Sequence, residues 1–216
     1  KIWQALYVDN PRVFEKKEQE DKSGFSVDIM IDGSSSRKNS QEFIAAQVYV
    51  LAKSLERCNI PCQIYSYCSI RGYTVLRIFN SEQKAGKEIF KYVAAGNNRD
   101  GLALKGAGHL MEHSPKGKRI LVVLTDASPQ DDQSAMEGAF YKNNEYTDEL
   151  AIKDTEKEIH NLKSNNIQVI GIFMGSERGT IAAKEIFGKD FVKIETIHQF
   201  SDTVGRILQE KIRNIN

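Results

Sequence analysis

The chain has 216 residues, 40% of them apolar, with 30 basic and 29 acidic side chains and a net charge of +1, which suits one α/β domain able to bury about 70% of its unfolded surface. So even a charge gives no basic footprint for nucleic acid or a membrane surface, and no apolar run approaches the roughly 20 residues of a membrane span. No signal-peptide pattern is present, and three cysteines, an odd count, fit a reducing compartment, so a cytoplasmic setting is expected.

Residues 1–22 combine Trp3, Leu6, Tyr7, Val8 and Phe14 with the charge run Glu15 to Lys22. They read as an extension packed on the domain, ending in a solvated loop, with the domain proper over 23–216. The chain opens at Lys1 without a Met and reads as the C-terminal domain of a longer protein. A strand is expected at 26–32. A helix follows at 41–57, because Ile44, Val48, Leu51, Leu55 and Cys58 fall on one helical face. Ser40 is placed to cap its start, and Asn59-Ile60-Pro61 stops it. Segments 63–70 and 73–80, joined only by Arg71-Gly72, form an antiparallel hairpin. Segment 81–95 has a helical period, with Ala85, Ile89, Phe90 and Val93 facing inward. A loop at 97–100 precedes a helix at 101–112 whose core stripe is Ala103, Ala107, Leu110 and Met111.

Lys118 to Thr125 is a continuous apolar run, as in a strand buried on both faces. Residues 127–144 are a long polar loop in which Asp131 and Asp132 read as solvated, or else as the edge of a partner surface. A helix at 148–165, a strand at 167–174, a short helix at 182–187, a strand at 191–194 and a helix at 201–215 complete the chain. Val204, Ile207, Leu208 and Ile212 give the last helix a core face. Alternating strands and helices predict an α/β sheet covered on both faces, whose ligands collect at the C-terminal strand ends.

Asp32 closes the first apolar strand, and Ser34 and Ser36 follow at alternate positions. A carboxylate with two hydroxyls is a hard oxygen donor set suited to Mg²⁺, which takes few protein ligands and keeps several waters. The alternative is that the three residues only cap a turn. Asp126 closes the second buried strand. His109-Leu110-Met111-Glu112-His113 matches the inverted zinc-peptidase pattern, but a third ligand is not identifiable, and the helix serves the core. Cys58, Cys62 and Cys68 lack Cys-x-x-Cys spacing and read as plain thiols. No nucleophile elbow or phosphate loop is present, so catalytic residues are not expected.

Asp32-x-Ser34-x-Ser36 after an apolar strand resembles the opening of the metal-ion-dependent adhesion site (MIDAS) of von Willebrand factor A (vWA) domains. Asn97-Asn98-Arg99-Asp100-Gly101-Leu102-Ala103-Leu104 and Leu121 to Asp126 resemble its second and third parts. The Asn-Arg-Asp-Gly-x-Ala run is similar to vWA domains of nitric oxide reductase activation proteins and cobalt-chelatase accessory subunits. The similarity runs from Trp3 to Phe14 through Asp202-Thr203-Val204-Gly205. It implies a Rossmann-like vWA fold: a mostly parallel central sheet with one antiparallel edge strand and helices on both faces. It implies Asp32, Ser34 and Ser36 as ligands, and Asp126 reaching the ion through water.

The second motif departs from the pattern, since Asn98 stands where most members place a Thr ligand. Asp100 is favoured in its stead, with Asn98 the rival. A third carboxylate would neutralise the ion and weaken its demand for an acidic side chain from a partner. The implied cofactor is Mg²⁺, with Mn²⁺ or Ca²⁺ as alternatives. The implied function is a protein-binding module working with a MoxR-type AAA+ ATPase, or docking a client metalloenzyme, in activation or metal insertion. The alternatives are a Mg²⁺-dependent hydrolase and a metal-free scaffold.

Overall fold

The computed structural model describes residues 24–79, 87–112, 117–132 and 145–213. The expected N-terminal extension, Ala85, His113 and most of the polar loop after Asp126 lie outside them. The sheet has six strands in the order β3-β2-β1-β4-β5-β6. These are β1 (Phe25–Asp32), β2 (Cys62–Ile70), β3 (Tyr73–Ile78), β4 (Lys118–Thr125), β5 (Ile167–Phe173) and β6 (Phe191–Lys193). All neighbours pair in parallel except β2 and β3. The hairpin between those two turns on Arg71 (φ 52) and Gly72 (φ 82), and two positive-φ residues match the right-handed twist of the strands they join.

Strand order reverses between β1 and β4, the neighbours at the centre of the sheet. A crevice opens at such a switch point, outside the strands' carboxyl ends. Every residue of β1 is buried, because helices cover both faces. Period-2 alternation divides the strand. Val27, Ile29 and Ile31 join Ile120, Val122 and Leu124 in one core under α1 (Gln41–Arg57) and α5 (Phe200–Arg213). Met30 joins Leu121 and Val123 in the other, under α2 (Asp100–Glu112), α3 (Asp148–Ser164) and α4 (Glu177–Phe187). Each fully buried aliphatic side chain contributes about 1.5–3 kcal/mol.

Several expectations are corrected. Within 81–95 the described part holds only a 3₁₀ turn, Lys87–Lys91. Ile89 is buried there, but Phe90 and Val93 are exposed. The chain beyond it has no regular structure and is held to neighbouring segments by main-chain bonds from Ala95 and Asn97. Cys58 is exposed, since α1 ends one residue before it. A 3₁₀ turn, Ser35–Ser40, leads directly into α1, and the Ser40 side chain makes no capping bond. Leu110 is partly exposed while Leu104 takes its place in the core. Helix α4 begins at Glu177, earlier than expected, with Ser176 as its N-cap residue. In α5, Val204 and Leu208 are buried and Ile207 partly so; the Ile212 side chain lies outside the description.

Candidate functional site

The rim over β1 and β4 is assembled from three loops joined main chain to main chain. After β1, the Gly33 N–H donates to the Tyr67 carbonyl at 2.7 Å, and the Gly33 carbonyl accepts from Ala95 N–H at 2.7 Å. A Cβ on Gly33 would sit 2.8 Å from the Tyr67 carbonyl oxygen, so a side chain there would push the loop off the sheet. Ser35 N–H and Ser35 Oγ both donate to the Gly96 carbonyl, at 3.0 and 2.9 Å. Gly96 (φ 71) lies so close to Ser69 that a Cβ would meet its carbonyl oxygen at 2.2 Å. Asn97 exchanges main-chain bonds with Ser69, and Asn98 does so with Gln130. After β4, Ala127 takes φ 53, left-handed for a residue with a Cβ. Its N–H is held by Thr125 Oγ1 at 2.9 Å.

These turns bring the sequence-predicted oxygens together. Asp32 Oδ1 accepts the Ser34 N–H at 2.8 Å. Ser34 Oγ and Ser36 Oγ lie 2.9 Å apart, and Ser36 Oγ donates to Asp126 Oδ2 at 2.8 Å. Residues 90 positions apart thus meet at the switch point. Asp100 opens α2 and is buried beside them, accepting a hydrogen bond from Asn98 Nδ2 at 2.9 Å and one from the Tyr67 phenol. Asn98 is buried as well. Asp131, expected in solvent, is instead buried, its N–H donating to the Tyr146 carbonyl at 2.9 Å; Asp132 is exposed.

Burial dominates the electrostatics. The Asp32 carboxyl is pushed up to about 6, first by desolvation and then by the charge of Asp126, against the pull of Arg37 and of the Ser34 hydrogen bonds. Asp100 is raised well above the carboxylate range by burial, then by Asp32 and Asp126; the Asn98 and Tyr67 hydrogen bonds oppose this. Charge on the two buried carboxyls, Asp32 and Asp100, is therefore costly without a cation nearby. Asp32 Oδ2, fully buried, has no hydrogen-bond partner. An orphaned buried carboxylate oxygen beside two hydroxyls fits a hard divalent ion. No three His, Cys, Asp or Glu among the described residues form a ready-made chelate. A hard ion placed here would need hydroxyl and water oxygens beside the carboxylates.

Arg37, given no role in the sequence reading, is the surprise of the site. It follows Ser36 directly, is 5% exposed, and reaches between Asp32 and Asp126. The signal that could have found it is a basic residue joined to a carboxylate-hydroxyl motif. Of the zinc-like pair, His109 lies exposed on α2 beside Glu112, away from the rim. Cys62 and Cys68 are half-buried on β2. Among the described residues an open cavity of about 810 Å³ adjoins the site, lined by Arg37, Asp126, Ser128, Gln130, Ser176 and Arg178 among others.

No model of a known protein family matches the chain. Uncharacterized protein YojO of Bacillus subtilis (strain 168) is 23% identical over 219 residues, covering 93% of this chain and 32% of its own; the chain therefore spans about a third of that relative. Among solved structures, the vWF domain of the type V pili tip protein Mfa5 from Porphyromonas gingivalis superposes with a TM-score of 0.67 at 10% identity. That match covers 89% of this chain and 96% of Mfa5's. The fold is that of a vWA domain. The pilus adhesin SpaC from Lactobacillus rhamnosus GG shares it at TM-score 0.64 and 13% identity, over 88% of this chain and 30% of its own. Proximal thread matrix protein 1 of the mussel byssus, in a structure with a zinc-occupied MIDAS motif, gives TM-score 0.53 and 16% identity over 84% of this chain and 46% of its own. In the vWA frame the Asp32 loop, the Asn98–Asp100 loop and Asp126 occupy one rim of the sheet. No described helix is long and apolar enough to cross a membrane.

Proposed function

We propose that this vWA domain is a divalent-cation-dependent protein-docking module. Asp32, Ser34, Ser36 and Asp126 would hold the ion, with Asp100 as the buried carboxylate behind them and Asn98 fixing Asp100. Mg²⁺ is the favoured ion and Mn²⁺ or Ca²⁺ the alternatives, because every donor is an oxygen. The orphaned Asp32 Oδ2, buried on the same rim as the two serines and Asp126, carries the reading. The ion supplies a positive centre on which an oxygen of the partner completes the shell. The chain's own residues do the rest. Ser36 fixes Asp126 by a hydrogen bond, the Ser34 N–H fixes Asp32, and the stitched loops hold both at the mouth of the adjoining cavity.

The partner is taken to be protein, in keeping with neighbours described as a pilus adhesin and a pili tip protein. The Asn97 to Leu104 motif refines this to a MoxR-type AAA+ ATPase, or a client metalloenzyme that it activates or loads with metal, in the cytoplasm. Titrating Mn²⁺ and Mg²⁺ into the wild type and Asp32→Ala tests the ion; binding is expected only in the wild type. Pull-down with and without chelator tests the partner, and capture that ignores both chelator and Asp32→Ala would sink the docking reading.

A further inference from the structure

Arg37 stands where a cation is wanted. Its Nε lies 3.6 Å from Asp32 Oδ2 and its Nη2 lies 3.5 Å from Asp126 Oδ2. These are ion-pair separations, longer than the roughly 2.7–2.9 Å of a fitted guanidinium–carboxylate hydrogen bond. Only Nη1 is satisfied, donating to the Met174 carbonyl at 2.9 Å. Nε, Nη2 and the Asp32 Oδ2 that Nε approaches are all buried without a hydrogen-bond partner. Charge holds the guanidinium here, and fitted geometry does not. A buried charge pair with unmet donors is a poor bargain beside a compact ion with short contacts to the same oxygens.

We propose that Arg37 is the site's tethered counter-ion. It neutralises Asp32 and Asp126 when no metal is bound and yields them when a divalent cation enters, so it sets the ion affinity by competition. This rests on the ion-docking reading of the rim. It assigns to one side chain two effects of opposite sign. Arg37 stabilises the metal-free domain and weakens the metal-bound one. Were Arg37 instead a fixed prop for Asp126, its removal would weaken both.

The test is calorimetric titration of Mn²⁺, then Mg²⁺, into chelator-stripped wild type, Arg37→Met and Arg37→Gln, with melting temperatures in chelator and in saturating Mn²⁺. Met keeps the apolar stem, and Gln keeps a donor for the Met174 carbonyl. Both variants are expected to bind Mn²⁺ at least about tenfold tighter, roughly 1.4 kcal/mol. They should melt lower in chelator and gain more from Mn²⁺ than the wild type does. Equal or weaker affinity in both, beside a wild type that binds, overturns the counter-ion assignment and leaves the ion site standing. No binding by any of the three overturns the ion site and Arg37's role together. Variants that stay unfolded in saturating Mn²⁺ overturn the assignment too, since the ion then fails to replace the guanidinium.

Discussion

Asp28 and Asp32 stand four residues apart on one face of β1, and both are buried. Desolvation pushes both carboxyls up to about 6. Their partners differ. Asp28 Oδ2 accepts the Tyr65 hydroxyl at 2.7 Å, and Oδ1 faces the Gln63 N–H at 3.4 Å. Asp32 has one oxygen hydrogen-bonded by Ser34, while the other has no hydrogen bond and only the ion pair to Arg37 Nε at 3.6 Å. Burial alone does not tell a structural carboxyl from a ligand-seeking one. The two differ in the unbonded oxygen and in position: Asp28 lies inside the strand, and Asp32 at its carboxyl end over the switch point.

The comparison can be broken in four ways. The strongest is Ile29→Ala, between the two on the opposite face. It should cost about 2–5 kcal/mol by denaturant unfolding, yet shift Mn²⁺ affinity less than about twofold in the protein that remains folded; a large affinity loss would mean the rim is not held independently of that core. Asp32→Ala should cut Mn²⁺ affinity at least about 100-fold, roughly 2.7 kcal/mol, whereas a site surviving this change would put Asp32 beside Asp28 as merely structural. Asp28→Ala strands the buried Tyr65 hydroxyl and should cost about 1–3 kcal/mol of stability with ion affinity unchanged. Affinity that falls with it would erase the distinction.

The last and most gradual effect is on pH. The folded Asp28 holds its proton to about 6, above its ordinary 3.8, so the native state binds the extra proton between those values. Its contribution is complete below the unfolded value and is lost as pH rises through the folded one. Stability should therefore fall across that window by up to about 1.4 kcal/mol per pH unit. Asp32, raised to the same value, adds to the slope, so Asp28→Asn should reduce it in urea melts taken at several pH values, and an unchanged slope would assign it to other groups.

Much of the fold was legible because period and burial coincide. Helix 41–57 and strand 118–125 match α1 and β4, since each has an unbroken apolar stripe or run and a clear stop. Within 81–95 the described residues 87–95 depart from the expected helix because a helical spacing of apolar residues says nothing about tertiary main-chain partners. Around Ala95 and Asn97 those partners are Gly33 and Ser69, and they hold the chain off a helical path. Strand ends put Asp32 and Asp126 on one rim, and the motif resemblance grouped them with Ser34 and Ser36. Arg37 and Asp131 were not, because composition does not reveal which charged side chain turns inward; that depends on what faces it from loops far off in sequence.

The bonds that stitch the rim, Gly33 to Tyr67 and Ala95, Asn97 to Ser69, Asn98 to Gln130, and Asp131 to Tyr146, run between peptide groups. Peptide groups are the same whatever letters the loops carry. Much of this surface can thus be respelled, glycines 33 and 96 aside, while the cradle beneath keeps its shape.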